Sequence, residues 1–239
     1  MGNCALAFLA AHQMPKRPRL ILLILIGIVL LVTSSRMMLA SFWGNQVNSF
    51  LIDWEQHGVE PESEAWQVAY EAANKAITLS PVADAEYYNY LGRVWEWQQF
   101  TKKFGDSTAQ ASRQNALIAY RQAVALRPQW PYTWVSLAYT KLRLLQIDEE
   151  FMHALNTAAK YSPWRIKSNK RVAEIGLMAW FDLDQATKRT VITAIQRTVN
   201  FNVNEARWLE KRATQSNQLL ILCGVIEQEM RVKLKGCVH

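Results

Sequence analysis

Residues 123–163, AVALRPQWPYTWVSLAYTKLRLLQIDEEFMHALNTAAKYSP, decide the fold. The stretch opens on Ala123-Val124-x-Leu126-x-Pro128 and closes on Ala158-Ala159-x-Tyr161-x-Pro163. The same phrase occurs upstream as Ala76-Ile77-x-Leu79-x-Pro81. Small residues three or four apart, as at Ala69, Ala73 and Ala76, make a helical stripe that a neighbouring helix can approach closely. Each proline ends its helix, because the residue before it is pushed out of the α region. Between the prolines lies a second stripe. Tyr88, Leu91, Gly92 and Trp95 fall at i, i+3, i+4 and i+7, and Trp134, Leu137 and Ala138 repeat that layout.

An aromatic residue, Leu-Gly or Leu-Ala, a bulky residue, then Ala…Ala and Pro is the pattern of the tetratricopeptide repeat, a pair of antiparallel helices. The later two prolines fit its period of about 34 residues, and the first pair is longer by about a dozen. The surplus falls at Thr101–Gln114, where Gly105-Asp106 reads as a turn and Ser107 with Gln110 as a capping box. Glu60-Pro61 reads as a helix start. Arg165–Phe181 and Asp184–Asn200 read as a further helix pair with Asp184 as N-cap. Asn204–Val238 reads as one or two helices closing the apolar end of the stack. Nine Gly and seven Pro are too few for an all-β chain with many tight turns, and the half-hydrophobic composition excludes disorder.

The predicted fold is therefore all-α: an N-terminal transmembrane helix, then a tetratricopeptide-like solenoid with a C-terminal cap. Its expected segments are a basic tail over 1–19, a membrane anchor over 20–43 and a juxtamembrane helix over 44–60 that stops near Gly58. A repeat domain over 61–200 and capping helices over 201–239 follow. Leu20–Ser35 carries no charge, and sixteen helical residues span ~24 Å against a hydrocarbon core of ~30 Å. Arg19 and Arg36 can snorkel outward from it, and Met37–Trp43 adds apolar length. Lys16, Arg17 and Arg19 precede the run, whereas Met37–Glu64 holds five carboxylates and no Lys or Arg. By the positive-inside rule the N-terminus is cytoplasmic and the rest lies outside, in the periplasm of a bacterium. The competing reading is a cleaved signal peptide with processing at Ala40-Ser41, although Met38 is large for the position before such a cut. Met14 is as sensible a start as Met1, which leaves the presence of Cys4 open.

Charge and motifs bound the function. The net +7 divides into +4 over residues 1–43, −4 over 44–159 and +7 over 160–239. The basic ends are a topology signal and a diffuse surface without an Arg-rich run, so nucleic acid is not an expected partner. No GxGxxG, Walker loop, GxSxG or HExxH occurs, and His12, His57, His153 and His239 are scattered. Catalytic, metal and cofactor-binding residues are accordingly not assigned. Asp148-Glu149-Glu150 reads as a helix cap and first turn rather than an acid/base pair. A glycan-processing enzyme would instead need two carboxylates converging in a cleft, with Glu86, Glu96 and Asp148 the candidates. Cys223 and Cys237 on one continuous helix would lie ~21 Å apart, so a disulfide needs a turn between them. Trp95 and Trp134 belong to the packing stripe. Asn89, Arg93, Tyr132, Tyr139 and Arg143 lie off it and are the candidates to line a concave groove that takes a peptide tail or a glycan chain.

Ala125–Phe151, ALRPQWPYTWVSLAYTKLRLLQIDEEF, followed by Ala158-Ala159-x-Tyr161-Ser162-Pro163-Trp164, resembles the VpsP-like family. These are tetratricopeptide-containing proteins found among bacterial exopolysaccharide-biosynthesis genes. Arg171-Val172-Ala173-Glu174-x-Gly176-Leu177-x-x-Trp180 is similar to the family's next helix, and Trp66…Pro81 and Tyr88–Trp97 also fit. The resemblance covers Trp66 to Asn200. It implies an accessory protein of polysaccharide assembly or export, tethered to the inner membrane and partnered with envelope proteins, with no catalytic residues. A cell-envelope adaptor unrelated to polysaccharide is the alternative.

Overall fold

The computed structural model describes residues 16–237, so the tail over 1–15, with Cys4 and Met14, lies outside the described residues. Helix α1 runs unbroken from Lys16 to His57. The expected anchor and juxtamembrane helix are thus one rod of about 63 Å, at 1.5 Å per residue. The reason is local: no proline interrupts residues 19–57, and Gly44 is used for packing instead of a break. A Cβ there would meet the Tyr87 ring at 2.6 Å. The rod ends where expected, at Gly58, whose φ of +66° and N–H···O=C bond to Trp54 close the last turn.

The two halves of α1 have different surroundings. Its first half contains an 18-residue window of mean hydropathy 2.4 with none of it buried, long and apolar enough to cross a membrane. Its second half buries Val47, Leu51 and Trp54, spaced i, i+4, i+7, against α2 (Ser63–Leu79) and α3 (Ala85–Trp97). Arg36 sits between the halves. Rather than snorkelling free, it donates Nε to the Leu79 carbonyl at 3.2 Å and Nη2 to the Thr78 carbonyl at 3.1 Å. It thereby satisfies two of the orphan acceptors at the C-terminus of α2.

Seven further helices follow among the described residues: α4 (Gln110–Leu126), α5 (Pro131–Arg143), α6 (Glu149–Tyr161), α7 (Ile166–Met178), α8 (Gln185–Phe201), α9 (Val203–Gln215) and the short α10 (Leu219–Val225), before a last turn α11 (Gln228–Arg231). No strand occurs among the described residues. Helices α2, α4 and α6 each stop two residues short of Pro81, Pro128 and Pro163, as the recurring phrase requires. Helix α2 begins later than Pro61, with Glu62 at its N-cap position. Asp184 caps α8 through its bond from the Thr187 amide.

Helices up to α10 pack in chain order, and α1 also touches α3, α5 touches α7, α6 touches α8 and α7 touches α9. The Trp66 indole donates to the Val94 carbonyl at 2.8 Å, joining the start of α2 to the end of α3, so these two are antiparallel. Thr133 donates to Asn89, Thr140 to Glu96 and the Arg143 guanidinium to the Gln99 carbonyl, every pair 44 residues apart. A constant offset means that α3 and α5 lie side by side in the same direction. Trp95, half-buried, packs against both the α1–α3 core and the larger core that runs from α4 onward. Trp134 also stands only half-buried, its indole donating to the Pro128 carbonyl at 2.7 Å.

The long α3–α4 connection is organised by two buried guanidinium groups. Arg113 donates to the carbonyls of Lys102, Lys103 and Arg143, and Arg143 to those of Gln99, Phe100 and Lys102. Its cap is Asp106, not Ser107. The Asp106 carboxylate accepts from the amide and hydroxyl of Thr108, which starts a 3-10 turn over Ser107–Ala109 ahead of α4. The C-terminal cap is more broken than one or two helices. Extended backbone at Ile226 stops α10, and the chain folds back through α11 and a 3-10 turn over Lys235–Cys237. That turn brings Cys223 and Cys237 to a Cα–Cα distance of 5.4 Å in a disulfide.

Gly92 gives a direct test of the packing. A Cβ there would lie 2.5 Å from Cε1 of Tyr120, whose ring is fully buried and whose hydroxyl is fixed by Glu96. Gly92→Ala should cost about 1–3 kcal/mol, the usual range for overpacking a core. In denaturant titrations followed by tryptophan fluorescence, Gly27→Ala, with nothing within 4 Å of its Cβ, is the matched control and should unfold like the parent.

Candidate functional site

A groove of about 620 Å³ runs along the face made by the odd-numbered helices. Helix α1 contributes Glu55, α3 contributes Arg93, Glu96 and Trp97, and α5 contributes Tyr132, Ser136, Tyr139 and Arg143. Lys167, Arg171 and Glu174 come from α7 and Arg212 from α9. No residue of an even-numbered helix lines it. The even helices carry the Ala-rich stripes that pack inward, which leaves the odd helices free to present polar and aromatic side chains.

Four of the five expected groove residues meet in this groove, in different roles. Arg93 reaches across to Glu55, Nη2 to Oε1 at 2.6 Å. Tyr139 holds the Arg171 guanidinium over its ring at 4.6 Å, and Phe104 meets it edge-on. Tyr132 packs edge-on against Trp130. Arg143 lines the wall but is 2 % exposed, and its Nη2 is spent on the carbonyls of the α3–α4 connection. It is a structural clamp rather than a residue free to bind a partner. Asn89 is not among the lining residues; it accepts from Thr133 at 3.3 Å and ties α3 to α5.

Sequence reasoning missed Glu55, Lys167, Arg171, Glu174 and Arg212, and it singled out Glu96 only as a carboxylate for the enzyme reading. A signal for most of them existed. Tyr132, Ser136, Tyr139 and Arg143 are spaced i, i+4, i+7, i+11, and so are Lys167, Arg171, Glu174 and Met178 on α7. Asn89, Arg93, Glu96 and Phe100 repeat the spacing from α3 into the turn that follows it. The stripe chosen on one helix marks its counterparts on the others.

The groove carboxylates all have donors. Glu96 accepts from the Tyr120 and Thr140 hydroxyls, both at 2.6 Å. Burial, reinforced by this carboxylate, pushes the Tyr120 phenol well above its ordinary value, so it stays a donor. Glu174 accepts from Arg171 at 2.5 Å and faces Nε of Arg212 at 3.3 Å. Lys167, exposed on the rim, has no such ion-pair partner among the described residues, and with Arg93, Arg143, Arg171 and Arg212 the cations outnumber Glu55, Glu96 and Glu174. The site is thus an aromatic-walled groove with a positive excess. Among the described residues, no group of His, Cys, Asp and Glu is arranged to hold a metal ion.

The Asp148-Glu149-Glu150 run lies away from this groove. Asp148 caps α6 by accepting from the Phe151 amide at 3.0 Å. The buried Lys141 ammonium bonds both Asp148 and Glu150, at 2.8 and 2.7 Å, and Arg121 grips Glu150 with two nitrogens. Glu86 sits in the first turn of α3, outside the groove lining. Compared with known proteins, the chain matches no family model and no curated protein sequence.

The Lys141 cluster sets a pH test. Hydrogen bonds from Arg121, and then from Lys141, hold the Glu150 carboxyl down at about 2. A carboxylate lowered on folding stabilises the protein above its ordinary value of 4.5, and that contribution is lost as pH falls toward 2. Glu150→Gln should therefore lower the thermal midpoint at neutral pH, by a modest amount because the pair is partly solvated. The gap from the parent should shrink steadily on acidification, as followed by circular dichroism.

Proposed function

We propose that this chain is a single-pass, membrane-anchored helical-repeat scaffold of the bacterial envelope, with its domain in the periplasm and no catalytic step of its own. The observation that carries the reading is the continuity of α1. One rod is unburied and apolar along its first half and forms the core of a grooved helical domain along its second.

The tetratricopeptide reading is supported by helix lengths: α2, α4 and α8 have 17 residues, α3, α5, α7 and α9 have 13, and of the even helices α2–α8 only α6, with 13, departs from the alternation. The 44-residue register between α3 and α5, and a groove drawn only from the odd helices and their connecting segments, support it further. Solenoid repeats use such a face to hold an extended partner. The periplasmic address is supported by the basic residues ahead of the apolar run and by the Cys223–Cys237 disulfide, a bond that persists in oxidising compartments. The carboxylates of the groove are occupied by hydroxyl and guanidinium donors, which favours holding over proton transfer. The link to exopolysaccharide assembly or export rests on the resemblance of Ala125–Trp164 and Arg171–Trp180 to the VpsP-like family. An aromatic groove with excess positive charge suits an acidic glycan chain or an acidic segment of an envelope protein.

Deleting the gene should abolish or shorten the secreted polysaccharide and leave sugar-nucleotide precursors at normal levels. Normal polymer yield and length would overturn the polysaccharide assignment. Complementation with the double variant Tyr132→Ala, Lys167→Glu, which alters the groove rim and no ion pair, should give a membrane-located protein that fails to restore polymer. A reporter active only in the periplasm and fused after His239 should be active, and a cytoplasm-specific reporter at that position should be silent.

A further inference from the structure

A second groove, of about 530 Å³, lies between the α6–α7 turn and the C-terminal half of α8. Its walls include Trp164, Ile166, Asn169, Arg197 and Phe201, and no carboxylate lines it. Trp164 is 91 % exposed and Phe201 57 % exposed. An indole and a phenyl group standing in solvent beside a guanidinium is a costly surface for a soluble edge. It is the composition of the membrane interface, where aromatic rings and cations gather.

Topology supplies the second, independent observation. The clamp of Arg36 on Thr78 and Leu79 places the C-terminus of α2 beside the end of the apolar half of α1. Consecutive helices reverse direction, as the Trp66–Val94 and Arg113–Arg143 bonds record. The turns at 80–84, 127–130 and 162–165 and the α8–α9 junction at Asn202 therefore share one edge of the domain, the edge from which α1 projects. Turns 58–62, 144–148 and 179–184 share the other. Charge differs between them. The first set carries Asp84, Arg127 and Arg165, whereas the second carries Glu60, Glu62, Asp148, Asp182 and Asp184 with no cation, and the inserted 98–109 segment adds Lys102, Lys103 and Asp106. Val82, in the turn beside Arg36, is 74 % exposed. Asn169 is buried, spends its amide hydrogens on the carbonyls of Ser162 and Arg165, and leaves Oδ1 without a partner.

We propose that this edge lies on the membrane surface, with Trp164 and Phe201 in the interfacial layer and Arg197 and Arg165 against anionic phospholipid headgroups. The inference rests on the reading that α1 crosses the membrane, and it adds a second contact that fixes how the domain sits on the bilayer. The test uses the full chain in a Cys4→Ser background, reconstituted in vesicles containing phosphatidylglycerol. Single nitroxide labels are placed at Ile28→Cys, Trp164→Cys, Phe201→Cys and Phe181→Cys. Phe181, 77 % exposed on the opposite edge, is the matched control, and substitution at such exposed positions leaves the core intact. Relaxation by oxygen against a water-soluble nickel chelate reports the depth of each label. The expected result is a label at 28 deep in the hydrocarbon, labels at 164 and 201 shielded from the nickel chelate at headgroup depth, and a label at 181 fully aqueous. A deep label at 28 with 164 and 201 as aqueous as 181 would overturn the docked edge and leave the anchor standing. An aqueous label at 28 would overturn the anchor and the docked edge together.

Discussion

Helix α1 is one hydrogen-bonded rod, and the rest of the molecule is mounted on it. A helix of 42 residues whose one proline, Pro18, lies in its first turn has no soft point beyond that turn, so its unburied apolar half and its packed half share an axis. Burial of Val47, Leu51 and Trp54 against α2 and α3 fixes that axis relative to the domain, and each such side chain is worth about 1.5–3 kcal/mol when removed from water. The Arg36 clamp adds a polar lock at the point where the surroundings change. On the proposal that the apolar half crosses a membrane, a rod of this kind constrains the orientation of the domain as well as its location, which a flexible linker would not do.

The even helices supply close packing through their small-residue stripes, and the odd helices are left with an outward face. Gly92 against Tyr120 is one expression of this division, and Gly176 against Val191 is another. The missing side chain on α3 admits the α4 ring, whose hydroxyl then fixes Glu96 at the groove. Core and groove are thus coupled through single residues. The two buried guanidinium groups of Arg113 and Arg143 do the same for the α3–α4 connection. Burial, with the neighbouring Arg143 charge, lowers the Arg113 value, yet five of the six carbonyl contacts made by the two side chains go to the connection and hold it in place.

Much of the helix order was legible because prolines and small-residue stripes act over one or two turns of chain. Helix ends at Leu79, Leu126 and Tyr161 follow from Pro81, Pro128 and Pro163, and the Asp148 and Asp184 caps follow from side chains that bond their own third neighbour. Features set by distant partners were not legible. The separate juxtamembrane helix was expected from composition, but nothing local breaks the rod at residues 40–44. Arg36 looked free because its acceptors lie 42 and 43 residues away. Arg143 looked available because the carbonyls it binds, in the α3–α4 connection, lie 41, 43 and 44 residues away in the chain. The turn that pairs Cys223 with Cys237 has no Gly-Pro or Asn-Gly signal at Ile226. In the groove, Arg93, Tyr132 and Tyr139 were legible from one helical stripe, and the residues of α7 carry the same spacing one helix pair later.

The measurement that bears most directly on the rod is a pulsed electron–electron distance between nitroxides at Ile24→Cys and Ile52→Cys, both at exposed positions on α1, in the full chain in lipid nanodiscs. An unbroken helix separates those positions by about 42 Å at 1.5 Å per residue. One narrow distribution near that value is expected. A broad or clearly shorter distribution would mean a hinge between the apolar half and the packed half, and the domain would then be a body separate from the apolar half.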